Sequence, residues 1–232
     1  MKGKIIAIEG LDGSGKSTQI ELLTQHFEAT GLDYRFVHFP MLNKGRYGTL
    51  IAEFLRGEFG ALDEVHPKLV ALLFANDRHE FKGQLQEWMD QGMVILMDRY
   101  VNSNIAFQCA KCKTQEEKDS LKEWILDFEF NYLQLPRPEV SFFLNVPLSN
   151  VEKSLQTERT GEDRDYLQGK TDIHEDSFEF QKNVYTEYRQ MVEEQADFEL
   201  INCTNEAGAW LDPKSISQLI IDGIQRANTG QV

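Results

Sequence analysis

The sequence predicts an α/β fold in which a central, mostly parallel sheet carries helices on both faces. Three observations predict it. Short apolar runs alternate with longer stretches of helical periodicity along the 232 residues, and such alternation calls for parallel strands joined by helical crossovers. The first apolar run passes through a glycine-rich turn directly into a helix, a strand–turn–helix unit. No internal repeat or low-complexity linker divides the chain, so one domain over residues 1–232 is expected.

The elements follow in order. Lys4 to Glu9 (KIIAIE) is a short apolar run bounded by glycine and reads as a buried parallel strand. A helix opens near Lys16. Ile20, Leu23 and Phe27 form its apolar face, and Gly31 is placed to end it. Tyr34 to Phe39 reads as a second strand stopped by Pro40, and Gly48 to Leu55 as a helix. One long helix is expected from Pro67 to Gln91, with Leu69, Leu72, Leu73 and Phe74 near its start and Gly92 beyond its end. Met93 to Met97 (MVILM) is a third strand, followed by a helix-rich section to Leu135 and a strand from Ser141 to Val146. Ser149 with Glu152 is spaced as a capping box for the next helix. Residues 157–176 are polar, doubly charged and aperiodic, which predicts a mobile loop or lid. A helix to Ala196 and a strand from Phe198 to Asn202 follow. Asp212-Pro213 then supplies a cap and a first-turn proline for the last helix.

Composition narrows the function classes. The formal net charge of −14 repels nucleic-acid backbones and anionic membranes, so neither is expected as a partner. An anionic ligand must therefore enter a locally basic cleft. No stretch approaches the roughly 18 apolar residues of a membrane helix, and the N-terminus shows no apolar signal segment. Three cysteines make no disulfide framework. A cytoplasmic protein is expected. Cys109 and Cys112 form a CxxC pair with only Cys203 as a further thiol. Redox or incidental thiols are thus favoured over a four-ligand zinc site.

Gly10 to Ser17 (GLDGSGKS) fits GxxxxGK[ST] between a predicted strand and a predicted helix. Its glycines let backbone N–H groups approach phosphate oxygens, and the helix N-terminus adds positive potential. The ATP-binding set is therefore Gly10, Leu11, Asp12, Gly13, Ser14, Gly15, Lys16, Ser17 and Thr18. Lys16 is placed for the β- and γ-phosphates and the Ser17 hydroxyl for Mg²⁺. GTPases, motor ATPases and small-molecule kinases share this loop. The Asn-Lys-x-Asp motif that reads guanine is absent, since Asn43-Lys44 is followed by Gly45-Arg46.

Asp98 ends the third strand beside this loop, where an acidic group can hold Mg²⁺ through its water shell. Arg99 follows at once, Asp77-Arg78 lies on the long helix, and the polar segment adds Arg159 and Arg164. Several arginines converging on a phosphate loop suit phosphoryl transfer between two anions. The attacking phosphate oxygen is already deprotonated, so clamping charge matters more than a general base.

The chain resembles the thymidylate kinases, P-loop nucleoside monophosphate kinases. The resemblance rests on Glu9-Gly10-x-Asp12 into Gly15-Lys16-Ser17-Thr18-Gln19, then Phe39-Pro40, Leu72 to Arg78 (LLFANDR), Asp98-Arg99-Tyr100, Ser103-Asn104 and Phe107-Gln108. It implies a three-layer P-loop kinase fold with a short lid, a homodimer, and transfer of the γ-phosphoryl group of ATP to dTMP with Mg²⁺ held by Ser17 and Asp98. Lys16, Asp98, Arg99, Arg159 and Arg164 would be catalytic. Asp12 would bind the 3′-hydroxyl, Phe74 stack on thymine, Arg78 donate to its O4 and Asn104 face its N3 edge. Arg99 would hold the dTMP phosphate and Phe107 crowd the 2′ position. Phe39, Ser103 and Gln108 complete the implied acceptor site.

Two departures stand out. The arginine that many relatives carry two residues after Phe-Pro is Leu42 here, with Lys44 or Arg46 as substitutes. The arginine that some carry in the loop is Gly13, which shifts the charge to the lid. Asp172, His174 and Glu175 are candidate sugar- or metal-side groups, and a solvated loop histidine is an equal reading for His174. Kinases of other nucleotides or deoxynucleosides, and a non-catalytic nucleotide-binding regulator, are the alternatives.

Overall fold

The computed structural model describes residues 2–42, 44–156, 162–174 and 177–229; of 153–156 and 162–164 it describes the backbone alone. In chain order the first half holds β1 (Lys4–Glu9), α1 (Lys16–Thr30), β2 (Tyr34–His38), α2 (Gly45–Leu55), α3 (Pro67–Glu80), α4 (Lys82–Asp90), β3 (Val94–Asp98) and α5 (Val101–Cys109). The second half holds α6 (Gln115–Leu126), a π-helical turn (Asp127–Tyr132), β4 (Val140–Asn145), α7 (Leu148–Gln156), a 3₁₀ turn (Glu162–Leu167), α8 (Phe178–Glu194), β5 (Phe198–Asn202) and α9 (Pro213–Thr229).

The five strands form one parallel sheet in the order β2-β3-β1-β4-β5. β1 is central, with Ile6 level with Leu96 on one side and Val140 on the other. Successive residues of a strand point to opposite faces, and β4 shows that both are covered. A Cβ on Gly223 of α9 would strike the Phe142 ring, whereas Phe143 stacks on Tyr188 of α8 at 4.8 Å. The predicted α/β fold is thus observed. Ile5, Ile8, Ile95, Phe142 and Phe143 are fully buried, each contributing about 1.5–3 kcal/mol of apolar burial. The chain leaves β1 for one side of the sheet and returns for β4 on the other. A crevice therefore opens at the C-terminal ends of β1 and β3, where such sheets bind ligands.

Three local expectations change. The helix expected from Pro67 to Gln91 is two helices. Phe81 breaks it, and its ring packs edge-on between Phe39 (6.2 Å) and Trp88 (5.5 Å). The Ser149 capping box does not form, because α7 begins at Leu148 and places Ser149 inside its first turn. The capping box that does form is Thr114 with Glu117 at the start of α6. Finally, α6 runs on into the π-helical turn, whose wider winding is common at functional sites.

Candidate active site

The phosphate loop is built by backbone conformations that only glycine adopts at no cost. Gly10 has φ 154°, and a Cβ there would lie 2.7 Å from Ser14 Oγ; Gly15 has φ 89° and caps α1. Leu11 is fully buried and anchors the loop in the core. Lys16 is nearly buried and its Nζ donates to the carbonyl oxygens of Gly10 (3.2 Å) and Leu11 (2.9 Å). Burial and the Arg99 charge bring its pKa down to about 8, against the opposing pull of Asp98, Asp12 and Glu9.

β3 delivers Asp98 and Arg99 next to this loop. Burial pushes the Asp98 carboxyl up. The hydrogen bond to His38 and the nearby Lys16 and Arg99 charges outweigh it, leaving the group below the usual carboxylate range. Its Oδ2 lies 3.0 Å from His38 Nδ1, while the buried Oδ1 has no hydrogen-bond partner among the described residues. Arg99 sits at φ 64°, a left-handed conformation that costs a non-glycine residue about 1 kcal/mol or more. The turn aims its side chain at the loop. Nη2 donates to Asp12 Oδ1 at 2.7 Å, Nη1 to Ser103 Oγ at 3.3 Å, and the guanidinium lies 5.0 Å from the Phe107 ring centre.

Below this lies Glu9, fully buried, accepting from Tyr100 N–H (2.8 Å), Ser103 Oγ (2.5 Å) and Tyr188 O–H (3.0 Å). Burial raises its pKa despite these donors. Glu9 thus fixes the strand-to-helix corner that presents Arg99. Sequence reasoning placed Glu9 in a motif without a role, because its three partners lie about 90 or more positions away.

α3 and α5 wall the far end. Arg78 and Asn104, both nearly fully buried, meet Glu129, while Phe74 stands nearly parallel to His174 at 6.4 Å. Asp77, beside Arg78, accepts from the Met41 N–H at 2.9 Å and holds the segment after Phe39-Pro40; burial raises its carboxyl to about 6. His174 is buried among Phe54, Phe74, Phe107 and Phe180, and burial keeps its pKa well below the ordinary value. It is therefore no solvated loop histidine. Asp172 is buried beside it, accepting from Tyr166 O–H (2.7 Å) and His174 N–H (2.8 Å). The described end of the expected lid is anchored. Ile173 N–H donates to Leu55 O (3.0 Å) and Arg56 Nη1 to Tyr166 O (2.7 Å), tying it to the end of α2.

Most of the predicted site residues line one cavity of about 430 Å³. From the loop, Asp12, Gly13, Gly15, Lys16, Ser17 and Thr18 line it. Phe39, Phe74, Arg78, Asp98, Arg99, Ser103, Asn104, Phe107 and Gln108 line it too, as do Asp172 and His174. Gly10, Leu11 and Ser14 are not among the lining residues. Leu42 lines the wall, and neither Lys44 nor Arg46, both exposed, is among the lining residues. Arg159 and Glu175, and the side chain of Arg164, lie outside the described residues. Cys109 and Cys112 stand apart from the cavity; the Cys109 thiol donates to Lys118 O (3.5 Å) and the Cys112 thiol to Gln108 O (3.9 Å).

Comparison with known proteins agrees with this geometry. The family model for thymidylate kinase matches residues 8–210. Thymidylate kinase of Plasmodium falciparum (isolate 3D7) is 28% identical over 196 residues, spanning 83% of this chain and 79% of the relative. A probable thymidylate kinase of Pyrococcus abyssi (strain GE5 / Orsay) is 29% identical over 204 residues, spanning 87% and 89%. The solved thymidylate kinase of Candida albicans superposes with a TM-score of 0.71 over all of this chain and 94% of its own, at 22% identity, which is a likeness of fold. With a phosphate loop facing an arginine-lined cavity, and a family match over residues 8–210, the chain belongs to the thymidylate kinase family.

Proposed function

We propose that this kinase transfers the γ-phosphoryl group of ATP to dTMP, giving dTDP, and that the residues gathered around the cavity divide between donor and acceptor. The observation that carries the reading is the continuity of one 430 Å³ cavity from the phosphate loop to the Phe74–Arg78–Asn104 end. The loop cradles the ATP phosphates with its backbone N–H groups, and Lys16 turns from the Gly10 and Leu11 carbonyls to the β- and γ-phosphates. Arg99, preorganised by Asp12 and backed by Phe107, clamps the acceptor phosphate. Its fixed charge offsets the repulsion between the two anions, so the geometry supplies positioning and electrostatic stabilisation. The attacking oxygen is already deprotonated near neutral pH, so no general base is required.

Mg²⁺ fits this site: Asp98 Oδ1, which has no hydrogen-bond partner among the described residues, and the Ser17 hydroxyl are the hard oxygen donors it takes. Ser17 and Asp98 would hold the ion, which would supply charge neutralisation at the transferring phosphates. Phe74 stacks on the base, Phe107 disfavours a ribose 2′-hydroxyl, and Asp12 reaches the 3′-hydroxyl. Arg159 and Arg164 supply the lid charge that Gly13 does not. A homodimer is supported by the aromatic ladder Trp124–Phe128–Tyr132, stacked at 5.0 and 5.3 Å. It ends on Tyr132, 75% exposed.

The deciding experiment is ADP release with ATP, Mg²⁺ and a panel of nucleoside monophosphates. We expect dTMP to be preferred and dUMP to follow within about tenfold, since one buried methyl is worth only about 1 kcal/mol. No stimulation by dTMP above background would refute the reading.

A further inference from the structure

We propose that Glu129, presented by the π-helical turn, is a positioning residue that sets base specificity by fixing the orientation of Arg78 and the hydrogen-bonding sense of Asn104. The inference rests on the dTMP reading above.

Glu129 is completely buried, and both its oxygens are in use. Arg78 Nε donates to Oε2 at 2.7 Å and Arg78 Nη2 to Oε1 at 2.6 Å. The guanidinium is thereby held as a planar fork, and the Nη1 hydrogens and the second Nη2 hydrogen remain as donors. Oε1 also accepts from Asn104 Nδ2 at 2.8 Å. The same nitrogen donates to the Ala71 carbonyl at 3.1 Å. A carboxylate and a carbonyl are both acceptors, so only the amide nitrogen can face them, and the orientation of the Asn104 amide follows. Both its hydrogens are committed inward. Its Oδ1 is buried with no partner among the described residues, on a side chain that lines the cavity.

The wall thus offers one group that can only donate, Arg78, beside one that can only accept, Asn104 Oδ1. A uracil-type ring supplies the complement, a C4 carbonyl next to an N3–H. Cytosine presents the reverse, an amino group next to an unprotonated N3. It would set donor against donor and acceptor against acceptor. Leaving such buried polar groups unpaired rejects a ligand by roughly 10⁴-fold or more. Arg78 can only donate, but Asn104 does not have its sense by itself, because an amide can turn over. The carboxylate at 129 removes that freedom. It reaches them from the π-helical turn, 51 positions along the chain from Arg78 and 25 from Asn104.

The test is the ratio of kcat/KM for dTMP to that for dCMP in the wild type and in Glu129→Gln. The substituted amide offers one acceptor and one donor group. Asn104 then gains a partner for its oxygen and is free to turn its nitrogen to the cavity. We expect the ratio to fall at least tenfold with the KM for ATP unchanged. An unchanged ratio in a folded variant overturns the proposal. Should that variant not fold, Glu129→Asp, which withdraws the carboxylate by one methylene, is expected to lower the ratio at least threefold, and an unchanged ratio again refutes it. Calorimetry on the wild type adds a comparison free of mutation: dUMP and dCMP are isosteric, and equal affinities would overturn the locked orientation. Tight, selective dUMP binding without phosphorylation of dTMP would sink the kinase reading while leaving Glu129's role standing.

Discussion

Lys111 lies just beyond α5 with its Nζ buried, 4.8 Å from the Phe54 ring centre and with no hydrogen-bond partner among the described residues. Burial brings its pKa down from 10.5 to about 7, the Asp172 carboxylate opposing only in part. At 1.36 kcal/mol per pH unit, that displacement disfavours the native ammonium by about 5 kcal/mol. The sign follows from proton counting. Below pH 7 both folded and unfolded chains carry the proton, and the native state bears the full penalty. Between 7 and 10.5 the unfolded chain binds more protons, so this group's contribution to stability rises with pH. Lys111→Met keeps the length of the stem and removes the charge. It is expected to stabilise the protein at pH 6, and by about 2–3 kcal/mol more there than at pH 9, where the wild type has already shed much of the penalty. At about 2–4 °C per kcal/mol for a chain of this size, thermal melts resolve the difference, and urea titrations at the two pH values measure it. Turnover should persist, since Lys111 does not line the cavity. A gain that is equal at both pH values, or a loss at pH 6, would refute the picture of an uncompensated buried ammonium.

Three further outcomes test the site. Lys16→Ala should lower kcat by orders of magnitude while the melting temperature stays within a few degrees; near-normal turnover would remove the loop lysine from catalysis. Arg99→Ala should depress kcat/KM for dTMP far more than it raises the KM for ATP, because it deletes a charge-assisted contact worth about 1.5–3 kcal/mol on the acceptor side. Parallel losses on both substrates would contradict that placement. Arg159→Ala and Arg164→Ala, measured separately, should reveal at least one loss of kcat of tenfold or more at unchanged KM for dTMP. Two silent variants would place the donor-side charge elsewhere.

The phosphate loop, the strands and the helix caps at Gly31 and Asp212 were legible in the sequence because each depends on nearby residues. A glycine's φ, the period of an apolar run and a cap three positions from its target are local properties. The acceptor wall was legible through a resemblance, which named Phe74, Arg78, Arg99 and Asn104 without their geometry. Arg78 and Asn104 illustrate the gap. The sequence marked both, but the carboxylate that orients them sits in a segment read only as helix-rich. His174 shows the same limit, since a polar loop offers no periodicity from which burial among four aromatic rings could be read.

The nucleotide loop and the alternation that makes the sheet parallel are thus written in the order of residues. The tertiary structure alone decided the strand order, the Glu9 corner behind Arg99, the Glu129 lock and the stranded Lys111 amine. Each of these arises between residues far apart in the chain. Their energies come from burial and from paired charges, which exist only once the elements have packed.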